Sequence, residues 1–225
     1  MIEFKKAVKK YGTTKVLDEI DLNIKPGEFV SVIGPSGAGK STLVYALIGA
    51  EKLSSGVISV DGFRINRMNQ KEMQYYRRRI GVVFQDYRLL PQKTVFENIA
   101  FALEVCGYRE EDIRKLVLDA LHTVGLNASF GKRFPHQISG GEKQRCAIAR
   151  ALVHGPGLII ADEPTGNLDP DTGLEIIKLL EKINQDGITV ILTTHNKDLV
   201  NFLKKRVIKI DDGKIVSDKG EGRYE

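Results

Sequence analysis

The stretch Gly34-Pro35-Ser36-Gly37-Ala38-Gly39-Lys40-Ser41-Thr42, "GPSGAGKST", follows the β-rich run "EFVSVIG" (Glu28 to Gly34) and leads into "LVYALIGA" (Leu43 to Ala50). Gly34, Gly39, Lys40 and Ser41 fit the pattern G-x-x-x-x-G-K-[ST], and Gly37 adds a third flexible position. Glycines there free backbone N–H groups to surround phosphate oxygens, while the lysine reaches the β- and γ-phosphates and the hydroxyl holds Mg²⁺. The run that follows is mostly apolar and lacks proline, which predicts a buried helix. Strand, glycine loop, helix is the order a phosphate loop demands. The whole loop from Gly34 to Thr42, with Pro35, Ser36 and Ala38, is therefore the candidate phosphate site.

Around it, "IEFKKAV" (Ile2 to Val8) and "GVISVDG" (Gly56 to Gly62) read as further strands. "LIIAD" (Leu158 to Asp162) and "ITVILTT" (Ile188 to Thr194) read as buried strands, and "RVIKIDDGKIV" reads as a hairpin turning at Asp212-Gly213. Between Glu110 and Gly125, apolar residues recur at helical spacing, from Ile113 through Leu116, Val117 and Leu121 to Val124. One helix is predicted from just after Ser139 through Leu152. Another starts after Asp169-Pro170, with Asp as cap, Pro as first residue and Gly187 as stop. The fold class is α/β: a parallel-type sheet from segments near residues 30, 81, 159 and 190, flanked by helices and preceded by an antiparallel β layer. A mostly helical insert lies between about Gln85 and Ser139; with the helix that follows, it makes a subdomain of about residues 86–150 within a single domain of residues 1–225.

Three strand ends supply candidate chemistry. Asp162-Glu163 closes "LIIAD"; Asp162 is placed to serve Mg²⁺ through water, and Glu163 to accept a proton from, or orient, an attacking water. Read alone, Glu163 also fits a cap or turn carboxylate in "DEPTGNLDP". His195 follows "ITVILTT" where ligands gather in open sheets; read alone it also fits a structural histidine. Gln85 ends "IGVVFQ", where an amide can touch both metal and water or be a plain strand-end amide.

Composition narrows the class. The net charge of +5, from 34 basic against 29 acidic residues, is a modest excess, clustered at Arg77-Arg78-Arg79 and Lys204-Lys205-Arg206. It does not by itself make a nucleic-acid footprint. Two cysteines, Cys106 and Cys146, are too few for a disulfide framework and are expected to be buried, reduced thiols in a cytosolic protein. No run approaches the roughly 18 apolar residues of a spanning helix, and no leader-like N-terminus is visible. The chain is expected to be soluble by itself.

A second glycine run, "QISGGEKQR" (Gln137 to Arg145), also opens a helix, yet a domain of this size has little room for two nucleotides. With the phosphate loop, Gln85, "SGGEKQR", "LIIADE", "NLD" from Asn167 and His195, the chain resembles the ATP-binding cassette ATPases over its whole length. That resemblance implies a P-loop NTPase core, Mg²⁺-dependent ATP hydrolysis and a homodimer formed on ATP binding. Each ATP is then held between one subunit's phosphate loop and the other's Ser139, Gly140, Gly141 and Glu142. Ser139 and the glycines at a helix N-terminus suit a γ-phosphate on physical grounds as well. Glu142 stands where glutamine is usual and Ile138 where leucine is usual.

The resemblance assigns Glu163, His195 and Gln85 to catalysis, Ser41, Gln85 and Asp162 to Mg²⁺, and Tyr11 to stacking on adenine; alone, Tyr11 is a surface or edge-strand aromatic. "FQDYRLLPQKTVFENIAFALEV" and the tail "DKGEGRYE" are similar to the cell-division branch. Those ATPases work with an integral membrane protein of the FtsX type to control cell-wall hydrolases. Lipoprotein-release and macrolide-export ATPases share "ADEPTGNLD" and form the alternative, with soluble cassettes acting on nucleic acid or the ribosome further off. The first branch implies a peripheral location on the cytoplasmic face of the membrane and no nucleic-acid partner. Tyr87, Leu89 and Leu90 are apolar groups in a polar, turn-rich region, as a socket for a partner helix would be; Phe96 fits the socket or the core.

Overall fold

The computed structural model describes residues 1–220 and 222; of the tail "DKGEGRYE", Glu221 and residues 223–225 lie outside the described residues. The antiparallel layer is built from β1 (Ile2–Tyr11), β2 (Thr14–Ile24), β4 (Ser55–Val60) and the two-residue β5 (Phe63–Arg64), in the order β2-β1-β4-β5. The core sheet runs β10-β9-β3-β8-β7-β6. It comprises β3 (Phe29–Ile33), β6 (Ile80–Phe84), β7 (Leu158–Asp162), β8 (Thr189–Thr193), β9 (Arg206–Asp211) and β10 (Lys214–Lys219). Strands β9, β3, β8, β7 and β6 are parallel, and β10 closes the hairpin antiparallel to β9. The terminal hairpin, which the sequence reading assigned to no sheet, joins the core sheet through β9, which pairs directly with β3.

The central strands are mostly apolar because both of their faces are covered. Val30, Val32, Ile160 and Ile191 meet the antiparallel layer and α1 (Lys40–Leu47), in a core with Phe4, Leu17 and Leu43. Their neighbours Phe29, Ile159, Ala161, Val190 and Leu192 turn to the other face. There they meet a helical layer of α3 (Val95–Cys106), α4 (Glu110–Thr123), α5 (Gly140–Leu152), α6 (Pro170–Gln185) and α7 (Lys197–Leu203). A short helix α2 (Gln70–Arg77) lies between β5 and β6. Among the described residues no helix is long and apolar enough to cross a membrane.

The boundaries predicted for α5 and α6 hold, with Asp169 capping α6 through the Thr172 N–H at 2.9 Å. Five elements were not read from the sequence: β2, the two-residue β5, α2, α3 and α7. β2 hides because Glu19 sits at φ 52° and the register with β1 shifts between Ala7 and Lys9, which breaks the alternation a strand shows. α7 has seven residues, too few to display a period. α2 and α3 each begin with a capping box, Asn69 with Glu72 and Thr94 with Glu97, and those signals were present in the sequence. Of the two cysteines, Cys146 is buried but Cys106 is only half-buried, and both are free thiols. Burial pushes the Cys146 thiol up to about 12.

Candidate functional site at the strand ends

The phosphate loop crosses from β3 to α1 at the carboxyl edge of the core sheet. Gly39 caps α1 at φ 105°, and a Cβ there would lie 2.5 Å from the Val16 carbonyl oxygen, so only glycine fits. No side chain caps α1, which leaves the first N–H groups of that helix open to an anion. Lys40 is buried, and its ammonium donates to the Gly34 and Pro35 carbonyls at 2.8 and 3.0 Å. It also stands 4.0 Å from the Glu163 carboxylate.

A cavity of about 470 Å³ is lined by Ser36, Gly37, Gly39, Lys40, Ser41, Thr42, Gln85, Glu163 and His195. The topology thus brings the candidate residues of β3, β6, β7 and β8 to one place. Gly34, Pro35, Ala38 and Asp162 are not among the residues that line the cavity. Asp162 is buried and accepts a 2.6 Å hydrogen bond from the Thr193 hydroxyl, with the Ser41 hydroxyl at 3.4 Å. Glu163 takes the left-handed conformation at φ 49°, uncommon for a residue with a side chain. Its N–H donates to both the carbonyl and the hydroxyl of Thr193, each at 3.1 Å, which holds the turn. Its carboxylate, 15% exposed, stands 3.0 Å from Nδ1 of His195, whose side chain is 66% exposed. Gln85 lies 3.4 Å from the Asn167 side chain, and Asn167 donates back to the Gln85 carbonyl at 3.0 Å.

Sequence reasoning missed Thr193. Inside an apolar strand a threonine reads as a β-former, yet here one hydroxyl serves both carboxylate residues at once. Tyr11, at the end of β1, is exposed and outside the cavity wall; the Lys9 ammonium lies 4.6 Å from its ring centroid.

The second glycine run stands apart. Ser139 is exposed at the N-terminus of α5, and Ser139 to Glu142 do not line the phosphate cavity of their own chain. Ser139 and Glu142 form a capping box: the Ser139 hydroxyl accepts from the Glu142 N–H at 3.3 Å, and the Glu142 carboxylate accepts from the Ser139 N–H at 2.7 Å. The two glycines answer to packing. A Cβ at Gly140 would lie 3.1 Å from the Tyr87 hydroxyl, and one at Gly141 would lie 2.5 Å from the Thr172 methyl.

The loop after Gln85 is fastened to this same helix. Tyr87 and Arg88 both hold left-handed conformations, φ 60° and 47°. Such residues cost about 1–2 kcal/mol each. The Arg150 guanidinium, from the far end of α5, donates to the Arg88 and Tyr87 carbonyls at 2.6 and 2.8 Å. Further on, the buried Asn98 of α3 binds the Leu90 N–H and the carbonyls of Leu90, Lys93 and Thr94, all within 2.7–3.1 Å. Leu89 and Phe96 pack on the core, Tyr87 is half-buried, and Leu90 is 37% exposed. The apolar socket expected at Tyr87, Leu89 and Leu90 thus has only Leu90 facing out.

A buried lysine in an anion-accepting loop, paired strand-end carboxylates and a detached helix N-terminus define a nucleotide-hydrolysing half-site. A family profile described as ABC transporter matches residues 17–166. The chain belongs to the ABC transporter family, and within it to the ATP-binding cassette ATPases. It is 52% identical over 225 residues to the cell division ATP-binding protein FtsE of Bacillus subtilis (strain 168), covering 100% of this chain and 98% of that protein. The methionine import ATP-binding protein MetN of Carboxydothermus hydrogenoformans is 43% identical over 205 residues, but these are 91% of this chain and 60% of MetN. Among solved structures, the dimeric post-hydrolysis state of the ATP-binding cassette MJ0796 bound to ADP and Pi superposes with a TM-score of 0.89 at 38% identity, over 100% of both chains.

Proposed function

We propose that the chain is the Mg²⁺-dependent ATPase subunit of a cell-division machine, dimerising around two ATP and driving an FtsX-like integral membrane partner that controls cell-wall hydrolysis. The observation that carries the reading is the split between a cavity lined by the phosphate loop, Gln85, Glu163 and His195 and a signature helix whose N-terminus lies outside that cavity. A dimer in which each chain offers Ser139, Gly140, Gly141 and Glu142 to its partner's ATP uses both halves. Full-length similarity to FtsE favours this role over methionine import, since MetN continues well beyond the matched region.

The donor set fits Mg²⁺. Ser41, Asp162 and Gln85 offer hard oxygen ligands, few in number, as suits a cation that also takes phosphate oxygens and water. Mg²⁺ there supplies neutralisation of phosphate charge. Lys40 draws the phosphates against the open N–H groups of α1, and Tyr11 carries the adenine. The Glu163 carboxylate takes the proton of the attacking water, and His195, its Nδ1 3.0 Å away, stands beside the carboxylate to orient it. His195 Nε2 remains for the γ-phosphate or the facing subunit.

The segment of about residues 86–150 acts as the subdomain that carries the signature and receives the membrane partner. The receiving surface is Leu90 with the groove of about 530 Å³ between α2 and α3, where Phe101 and Val105 are exposed. An apolar cytoplasmic segment of the partner fits it, and the ATPase then sits peripherally on the cytoplasmic face. The test is co-isolation from membranes of the wild type and of Leu90→Asp/Phe101→Asp. The variant is expected to lose the membrane partner and keep ATP binding; a partner retained by the variant would move the docking surface elsewhere.

A further inference from the structure

The basic cluster Arg77-Arg78-Arg79 lies outside the phosphate cavity, and the fold spreads its members over the two flanks of α2. Arg77 donates to the Ile48 and Gly49 carbonyls at 3.1 and 2.9 Å, a structural use. Arg78 lines the groove between α2 and α3. Arg79 turns to the opposite flank of α2 and, with Arg64, Arg67 and Lys71, lines a separate cavity of about 540 Å³. Its rings are Phe63, 57% exposed, and Tyr75, 68% exposed; Tyr76 is buried beneath, its hydroxyl tied to the Leu47 carbonyl at 2.9 Å.

The charge balance there is lopsided. Among the described residues Arg64, Arg67, Lys71 and Arg79 form no ion pair, as is true of many of the chain's other cations. The one acid in the lining, Glu72, is committed to its own helix, accepting the Asn69 N–H at 2.8 Å. Four like charges around an apolar floor repel one another and attract an anionic, partly apolar guest. A lipid surface is engaged by protruding side chains lying in its plane. A concave apolar floor with a cationic rim instead receives an inserted side chain flanked by carboxylates.

We infer that this cavity is a second docking site for the membrane partner, taking an acidic cytoplasmic segment whose apolar residue enters between Phe63 and Tyr75. The inference rests on the proposed docking of that partner in the groove. Both surfaces share α2, a helix about 10–12 Å across. Roughly four extended residues span that width, so one segment leaving the groove reaches the cavity. The acidic residues of the segment face Arg64, Arg67, Lys71 and Arg79, and the attraction makes the second contact sensitive to salt.

The experiment places a photo-crosslinking benzoylphenylalanine at position 75 of the full-length chain in its membrane complex, and separately tests Arg64→Glu/Arg67→Glu/Lys71→Glu. The crosslink is expected to map to an Asp- or Glu-rich cytoplasmic stretch of the partner. Charge reversal is expected to weaken the complex about tenfold at low salt and less at high salt, with ATP binding and melting temperature of the isolated chain unchanged. The neutral Arg64→Gln/Arg67→Gln/Lys71→Gln variant should fall between. Crosslinks to lipid or to a second copy of this chain, or equal retention of the partner by wild type and charge-reversed chain, overturn this inference and leave groove docking standing. Failure of the wild type to co-isolate with any membrane protein overturns both.

Discussion

The N-termini of α1 and α5 are made of the same materials, glycines, a hydroxyl and open helix N–H groups, and they are finished in opposite ways. At α1 no side chain caps the helix, the lysine folds back onto the loop carbonyls, and the surrounding strand ends wall the place in. At α5 a capping box closes the helix on itself, and Ser139 faces outward. The first arrangement leaves donors for water or an anion to complete. The second closes the Glu142 and Ser139 N–H groups on the helix itself and leaves those of Gly140 and Gly141 for a partner. Because the Ser139 oxygen accepts from the Glu142 N–H, its own O–H remains to donate. Glu142 does for the helix end what a glutamine also does in a capping box, so the departure from the usual residue leaves the geometry intact. In the proposed dimer, one end is the seat for a nucleotide, and the other is a lid shaped in advance for a nucleotide seated elsewhere.

The largest effect that probes this contrast comes from pairing one substitution at each end. Glu163→Gln removes the proton acceptor and keeps the shape, so turnover should fall by about 10²–10⁴ while ATP binding persists and an ATP-bound dimer accumulates. Ser139→Arg should abolish hydrolysis just as fully by the opposite route: the isolated chain still binds ATP, but no dimer forms. Nucleotide binding, gel filtration with ATP and phosphate release separate the two. Loss of ATP binding by the Ser139→Arg monomer would show that α5 serves its own nucleotide, and the contrast would collapse.

The two ends are joined, and Arg150 is the joint. Its two bonds hold the left-handed Tyr87 and Arg88, so the loop from Gln85 is tied to α5 as well as to the strand it follows. Arg150→Lys keeps the charge but cannot bridge both carbonyls. It should cost about 1.5–3 kcal/mol of stability, the worth of charge-assisted hydrogen bonds. Amides from Tyr87 to Leu90 should then exchange faster, and stimulation of hydrolysis by the membrane partner should fall about tenfold. ATP binding by the isolated chain should not change. Unchanged exchange in that loop would mean that Asn98 alone anchors it.

The seat was legible in the sequence and the joint was not, for physical reasons. A phosphate loop must combine glycines, lysine and serine at fixed spacing, and strands buried on both faces must be apolar runs, so Gly34 to Thr42, "LIIAD" and "ITVILTT" announce themselves. The strand ends then had to meet because parallel strands share one carboxyl edge. Arg150, Asn98 and Thr193 act through backbone groups far away in sequence, and their types say nothing about which carbonyl or carboxylate they will find. Leu89 shows the same limit from the other side: exposure in a polar loop was a fair expectation, but the doubly left-handed turn at Tyr87 and Arg88 swings it onto the core. β2 was lost to a bulge, whereas α3 was missed despite a readable cap at Thr94 and Glu97.

Thr193→Val is the smallest and sharpest of these tests, because it changes one hydroxyl and almost no volume. The side chain is fully buried, and its oxygen both donates to Asp162 at 2.6 Å and accepts from the Glu163 N–H at 3.1 Å. Valine keeps the strand and the carbonyl bond to Glu163, so the fold and the left-handed turn should survive. What is lost is a bond to a carboxylate, about 1.5–3 kcal/mol, and with it the fixed direction of Asp162. Urea titration should show a loss in that range, Mg²⁺ should be needed at higher concentration, and turnover should drop by less than for Glu163→Gln. Thr193→Ser, which restores the oxygen without the methyl, should recover the Mg²⁺ requirement even if it recovers stability only in part. That split distinguishes a hydroxyl that aims a metal-binding carboxylate from a residue that merely fills the strand. Were valine to leave the Mg²⁺ requirement unchanged, Asp162 would be positioned by Ser41 and its own strand, and the seat would owe less to preformed geometry than its contrast with α5 requires.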